Sequence, residues 1–230
     1  MPQKFNDLSW KPNGVPVSRR FDDPYYSLDN GLDETTHVFL TGNGLPERFY
    51  DGFSIGELGF GTGLNFLATL KLWQDSGQKG CLEYISFEAF PLEKDELLRA
   101  HAAFPVLVSV SELLVGSWDA LKQSGVVQIE NIRLTLVRGD ARKTLPQWQG
   151  LCDCWYLDGF SPAKNPELWE PELMKSVAEK SKQGGTLATY SAASFVRQNL
   201  ADAGFSVSRV KGFGRKKHMT TAVMDRHNAG

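Results

Sequence analysis

Beyond residue 50 the chain alternates two hydrophobic patterns. Short apolar or alternating runs at 53–58, 83–87, 132–137, 152–157 and 185–190 read as strands. Between them, apolar positions recur at helical spacing over 63–74 and 92–104. Further helices are expected at 167–180, opening on Pro166 and stopping at the "KQGG" of 182–185, and at 193–203, ending at Gly204. Segments 205–210 and 220–224 close the chain as a strand pair. Strands separated by helices predict an α/β fold: a mostly parallel, doubly wound sheet with an antiparallel closing strand. Such sheets bind ligands outside the carboxyl ends of their strands, so the residues just after each strand are the ones to inspect. Residues 1–50 are rich in Pro, Gly and Asp and read as an irregular extension with one short element over 35–40. The expected division is therefore an extension, 1–50, and a main domain, 51–230, forming one globular unit.

Composition narrows this picture. A chain of 230 residues with 41% hydrophobic and 23% charged residues can bury a core, and disorder is not expected. A net charge of −2 gives no general attraction to nucleic acid, so any such contact must come from a local patch. Cys81, Cys152 and Cys154 are too few for a disulfide framework. Cys152 and Cys154 alternate along a strand, so they are expected to point the same way. With no paired histidines nearby, no metal site is expected. Neither an apolar leader nor a membrane-length run is present, and a reducing cytoplasm is the expected home of a chain acting as a monomer.

The first strand carries the first chemistry. Glu57 is followed by Gly59, Gly61 and Gly63, and then by Asn65 in a helix-like stretch. No Gly-Lys-Ser/Thr follows, which excludes a P-loop. The dinucleotide fingerprint is broken by Leu64 at its last position, and a carboxylate at Glu57 would repel a pyrophosphate. A nucleoside with a positive end and no phosphate suits the turn, and S-adenosylmethionine is such a ligand. Glycines there let backbone approach it closely. Glu88, ending the second strand, can accept both ribose hydroxyls, a role shared with NAD enzymes. Asp140, after the third strand, is placed either to reach an adenine amino group or to cap the helix "ARKTL".

After the fourth strand, "CDCWYLDGFSPAKNPELW" puts Asp158 at the ligand-binding edge beside a rigid turn. Methyl transfer to an amine needs a neutral lone pair aimed at the methyl carbon, and a carboxylate can hold the amine and take its proton. The plainer alternative is a turn-forming Asp-Gly. Phe160 and Trp169 could stack on a base, with Trp169 better suited to the core. Lys164 could touch a phosphate or be solvated. Finally, "SRVKGFGRKKHM" gathers Arg209, Lys211, Arg215, Lys216, Lys217 and His218 around Phe213, and "VRGDARK" adds Arg138, Arg142 and Lys143. The first stretch reads either as a solvated hairpin or as an RNA-facing loop.

Six stretches, "PVSRRFDDPYYSLDNGLDET", "ELGFGTGLNFL", "ISFEAFPL", "WYLDGFSPAKNPELW", "GGTLATYSAASFVRQNLADAGF" and "KGFGRKKHM", resemble, in order, the methyltransferase part of the bacterial tRNA 5-methylaminomethyl-2-thiouridine biosynthesis family, MnmC. The resemblance implies a Rossmann-like class I methyltransferase that uses S-adenosylmethionine to methylate the aminomethyl group of the wobble uridine in the tRNA anticodon region. It implies that Glu57, Gly59, Gly61, Gly63 and Glu88 belong to the cofactor loop and ribose acid, and that Asp158 is the active-site aspartate. Asp22, Tyr25 and Tyr26 would belong to a leader folded over the cofactor pocket. Tyr26, Asn65 and Asp140 are expected toward the cofactor, and Tyr25, Phe160, Lys164, Phe213, Arg215 and Lys216 toward the substrate. Bifunctional members also carry a flavin-dependent oxidase domain that makes the amine. This chain has no second glycine fingerprint and no length for one, so a stand-alone methyltransferase or a fragment is expected. The rival readings are a small-molecule N-methyltransferase or aminopropyltransferase on the same fold, a non-catalytic RNA-binding or S-adenosylmethionine-sensing module, and an NAD-dependent oxidoreductase.

Overall fold

The structure, a computed structural model, describes residues 8–27 and 30–225. The leader, expected to be irregular, is folded. β1 (Leu8–Trp10), β2 (Pro16–Ser18) and β3 (Asp23–Pro24) form a small antiparallel sheet. Strands of two or three residues carry no readable alternation. Pro16 and Pro24 are tolerated because one starts its strand and the other lies in an edge strand. α1 (Gly31–Thr35) runs into a π-helical turn, Thr36–Leu40, and a 3₁₀ turn, Thr41–Asn43. This segment buries Val38, Phe39 and Leu40 in the main core.

The main sheet follows. Its strands are β4 (Ser54–Leu58), β5 (Leu82–Glu88), β6 (Val126–Ile129), β7 (Ile132–Arg138), β8 (Cys152–Leu157), β9 (Ser181–Thr189), β10 (Phe205–Lys211) and β11 (His218–Met224). Their spatial order is β10-β11-β9-β8-β4-β5-β7-β6. The pairs from β9 through β7 are parallel, whereas β10, β11 and β6 add antiparallel edges. β4, Ser-Ile-Gly-Glu-Leu, is buried along its whole length, as a central parallel strand covered on both faces is. Trp155 of β8 lies against the bare backbone of Gly56, where an added Cβ would stand 2.5 Å from the indole.

Helices cover both faces: α2 (Leu64–Asp75), α3 (Lys94–His101), α4 (Val108–Ser124), α5 (Ala141–Gln147), α6 (Pro171–Glu179) and α7 (Ser194–Asp202). Trp118, Phe66, Tyr84 and Tyr156 centre one core layer, and Trp155, Trp169, Met174 and Leu200 the other. The predicted 92–104 helix is α3, shorter at both ends. α4 and β6 were not anticipated, although Val110, Leu114, Trp118 and Leu121 fall on one helical face. The "KQGG" stretch is no stop: it lies inside β9, whose Lys182 pairs with Asp153 of β8. Cys152 and Cys154 do not share a face. A register shift between them sends Cys154 into one core layer and Cys152 into the other.

Candidate active site

β4 lies between β5 and β8, so the chain's direction of travel across the sheet reverses there. The crevice at such a reversal is where doubly wound sheets bind ligands. A cavity of about 1110 Å³ opens at this point. Its walls come from the turns after β4, β5, β7 and β8 and from the leader.

The glycine turn is tied to its neighbours by backbone. Gly59 has φ +88°, and its N–H donates to Phe87 O at 2.9 Å. A Cβ on Gly59 would stand 2.5 Å from the carbonyl oxygen of Asp158, so only glycine lets the two strand ends meet. Gly61 N–H donates to Glu88 Oε2 at 3.0 Å, and Phe90 N–H to Glu88 Oε1 at 2.6 Å. Burial raises the Glu88 carboxyl above its usual value, with those two N–H groups working against it. Each carboxylate oxygen keeps a lone pair for a further donor, such as a ribose hydroxyl. Behind the turn, His101 Nε2 stands 2.7 Å from Thr62 O, and its Nδ1 2.7 Å from Ser111 Oγ. Burial lowers His101, which favours neutral imidazole donating from Nε2 to that carbonyl.

Glu57 is placed differently from expectation. It is 0% exposed and does not line the cavity. Asn65 bridges it to the site: Asn65 Nδ2 donates to Glu57 Oε1 at 3.0 Å and to Asp158 Oδ2 at 2.7 Å. The other side of that amide accepts from Thr35 Oγ1 at 3.1 Å, which fixes its orientation. Burial pushes Glu57 up to about 8, against the hydrogen-bonding groups of Ser86, Asn65 and Tyr84 around it. Burial likewise pushes Asp158 up to about 7, against the Asn65 hydrogen bond. Asp158 lines the cavity. A carboxylate with this value can take a proton near neutral pH.

Asp140 takes the capping alternative. It accepts from Arg142 N–H at 3.0 Å and pairs with the Arg142 guanidinium at 2.7 Å, which lowers its carboxyl. It also lines the cavity beside Glu88. Gly63 caps α2 in the left-handed region, behind the wall rather than in it.

The leader closes one side. Tyr26 lines the cavity with its ring against Phe104, but its hydroxyl donates to Ala100 O at 3.1 Å. The Phe160 ring stacks on Phe21 at 4.8 Å and meets the edge of Tyr25 at 5.0 Å. Lys164 is exposed, and rather than being left for a phosphate it pairs with Asp22 and Asp23 of the leader. Asp23 also accepts from Ser161 N–H at 2.8 Å, so the leader is latched to the loop carrying Asp158. Trp169 is core, its indole N–H on Phe160 O.

In the β10–β11 hairpin, Phe213 packs against His37 and, like Arg215, does not line the cavity. Lys216 does line it, 2.7 Å from Glu34 Oε1 and over the Tyr190 ring. Of the "VRGDARK" cations, Arg138 is engaged with Lys122 O and Arg142 with Asp140. Sequence reading missed Glu34, Thr35, His101 and Tyr190. Tyr190 closes the predicted 185–190 strand and directly follows β9, so the strand-end rule could have found it, whereas nothing in the spacing of Glu34, Thr35 and His101 ties them to a strand end.

The donor set suits a cationic nucleoside. A glycine cradle faces the cavity, Glu88 stands at the end of β5, and the walls carry the carboxylates of Glu34, Asp140 and Asp158. S-adenosylmethionine, positively charged at its sulfonium, fits this lining.

Comparison with known proteins agrees. A family model described as S-adenosyl-L-methionine-dependent methyltransferase matches residues 107–225. The chain is 48% identical over 225 residues to the tRNA 5-methylaminomethyl-2-thiouridine biosynthesis bifunctional protein MnmC of Aeromonas salmonicida, covering 91% of this chain and 34% of that protein. To the protein of the same name from Ralstonia nicotianae it is 45% identical, covering 94% and 34%. The chain thus spans about one third of the length of the curated relatives it matches. A crystal structure of MnmC2 from Aquifex aeolicus superposes with a TM-score of 0.78 at 25% identity, covering 97% of this chain and 71% of that one. Among the described residues no helix is long and apolar enough to cross a membrane. With the family model spanning residues 107–225 and the expected Rossmann-like fold in place, the chain belongs to the S-adenosyl-L-methionine-dependent methyltransferase family.

Proposed function

We infer that this chain transfers a methyl group to the 5-aminomethyl group of 5-aminomethyl-2-thiouridine at the tRNA wobble position, giving 5-methylaminomethyl-2-thiouridine. The observation that carries the reading is Asp158: a carboxylate raised to about 7, in the wall of a cavity at the sheet's reversal point, held by Asn65 beside the glycine turn. The names of the relatives support the tRNA substrate. They call those proteins bifunctional, and here the amine would be supplied by a preceding step, on a flavin-dependent oxidase domain or protein. A tRNA substrate also implies a cytoplasmic setting.

In this reading the residues after β4, Glu88 and Asp140 bind the cofactor, and Tyr26 walls it in. The cofactor supplies a methyl group on a sulfonium that leaves as a neutral thioether. The wobble base reaches the cavity only when flipped from its stack. Phe160, with Phe21 and Tyr25, offers ring faces on which it can lie, a contact worth about 1–3 kcal/mol. Asp158 holds the amine and takes one proton to free its lone pair for the N–C bond, and Asn65 keeps that carboxylate aimed. Residues 1–50 and 51–230 work as one unit, supported by the Asp23–Ser161, Thr35–Asn65 and Tyr26–Ala100 hydrogen bonds.

The test is methyl transfer. The protein is incubated with S-adenosylmethionine and tRNA from cells lacking the activity, and the digested nucleosides are weighed by mass spectrometry. The reading expects conversion of the aminomethyl nucleoside to its methylated form. Intact cofactor binding without conversion of tRNA would overturn it in favour of a small-molecule methyltransferase.

A further inference from the structure

Lys216 stands where a charged amine is best received. Its Nζ lies 2.7 Å from Glu34 Oε1 and 4.3 Å from the centre of the Tyr190 ring. Glu34 is only 13% exposed, and the Tyr190 ring is fixed by its hydroxyl donating to Gly159 O at 2.7 Å, one residue past Asp158. Glu34, Tyr190, Lys216 and Asp158 line one cavity. Glu34 and Lys216 both act on the Asp158 charge, in opposite senses. A carboxylate beside an aromatic face is the usual chemistry for receiving an ammonium. The end of a lysine side chain, a CH₂–NH₃⁺ group, is chemically the same as a protonated aminomethyl group.

We propose that Glu34 and Tyr190 form the subsite that recognises the substrate's aminomethyl cation, and that Lys216 occupies it until RNA phosphates draw the hairpin loop away. The proposal rests on the function inferred above. The aminomethyl group is less basic than lysine, whose value is about 10, because the pyrimidine ring withdraws electrons, but it still arrives mostly protonated at neutral pH. Glu34 receives it in that form. Asp158 takes one proton to free the lone pair, the N–C bond then forms as the methyl–sulfur bond breaks, the product keeps its other two protons as a secondary ammonium, and the proton on Asp158 passes to solvent. Lys216 sits at the exposed tip, residues 214–217, of a turn closed by Gly212 N–H on Lys217 O and Lys216 N–H on Phe213 O, so its side chain can swing away without disturbing the buried base of the turn. The exposed Arg215 and Lys217 flank it and offer the same phosphates further contacts.

Two anticodon stem-loops, one bearing 5-aminomethyl-2-thiouridine and one 2-thiouridine at the wobble position, are titrated by filter binding against the full chain, Glu34→Gln and Lys216→Met. The wild-type chain is expected to prefer the amine-bearing stem-loop. Glu34→Gln is expected to lose about tenfold of that preference or more, with affinity for the amine-free stem-loop within about twofold. Lys216→Met, on an exposed loop, is expected to keep the preference, to bind both stem-loops more weakly, and to methylate the free nucleoside several-fold faster than wild type. Unchanged preference in Glu34→Gln, or slower methylation of the free nucleoside by Lys216→Met, would make the pair an ordinary surface ion pair and overturn the proposal. Failure of the wild-type chain to methylate the amine-bearing stem-loop would instead overturn the inferred function, and the subsite with it.

Discussion

Asn65 Nδ2 lies 2.7 Å from Asp158 Oδ2, and this bond joins the helix that follows the glycine turn to the carboxylate at the end of β8. The same nitrogen also serves Glu57, so one amide faces two acids whose values are raised by burial.

A pH profile reads this arrangement. Asp158 must be ionised to accept a proton, so kcat/KM is expected to rise with pH through about 7. The Asn65 hydrogen bond favours the ionised carboxylate, so Asn65→Ala is expected to move that limb to higher pH. A charged-group hydrogen bond is worth about 1.5–3 kcal/mol, which predicts a loss of roughly 10- to 100-fold in kcat/KM at pH 7. An unmoved limb in Asn65→Ala would remove Asp158 as the titrating group.

Two glycines separate backbone strain from close approach. Gly59 and Gly204 both have φ near the left-handed region, +88° and +100°. A Cβ on Gly204 meets nothing within 4 Å, whereas one on Gly59 meets Asp158 O at 2.5 Å. Gly204→Ala is expected to cost about 1–3 kcal/mol of stability and leave cofactor affinity unchanged. Gly59→Ala is expected to cost more and to weaken S-adenosylmethionine binding by tenfold or more. Calorimetric titration and thermal melts of both variants check this.

At the opposite end of the sheet, Asp153 accepts from Ser54 N–H and Lys182 Nζ, both at 2.8 Å, and from Tyr50 O–H at 2.7 Å. Burial works upward on its carboxyl, but Lys182 and the other donors overcome it and leave the value lowered. A lowered carboxylate adds stability above the unfolded value, about 3.9, and loses it as pH falls through the folded value. Asp153→Asn is therefore expected to destabilise the fold at pH 7 and to weaken the acid dependence below about pH 4. Lys182 is 36% exposed, so solvent screens the pair, and the loss of the Asp153 hydrogen bonds costs about 1–3 kcal/mol. Denaturant midpoints at pH 7 and pH 3 measure both effects. Refolded at low temperature, the variant is expected to keep its kcat/KM.

Legibility followed the length of each signal. The strands bearing Glu57, Glu88 and Asp158 are buried runs bounded by turn residues, and their ends could be read as cavity residues. The β1–β3 sheet could not, because its strands are too short for a period. Glu57 was legible as an acid but not as a buried one: the next turn of α2 puts Asn65 between it and the cavity, a tertiary fact. Glu34 and Thr35 reach the site from the leader, where no local motif marks them, while Tyr190 directly follows β9 and was legible as a strand-end residue. The "KQGG" stretch misled because two glycines usually end a helix, whereas the Lys182–Asp153 pair draws this one into β9.

The central claim is tested most directly by single-turnover methyl transfer from S-adenosylmethionine to tRNA bearing 5-aminomethyl-2-thiouridine, with Asp158→Asn beside the wild-type chain. General acid–base catalysis contributes about 10²–10⁴-fold. The account predicts rapid methylation by the wild-type chain and a loss of that order in Asp158→Asn, with S-adenosylmethionine bound equally by both. Equal rates, or a wild-type chain that binds the cofactor and leaves the tRNA unmethylated, would contradict it.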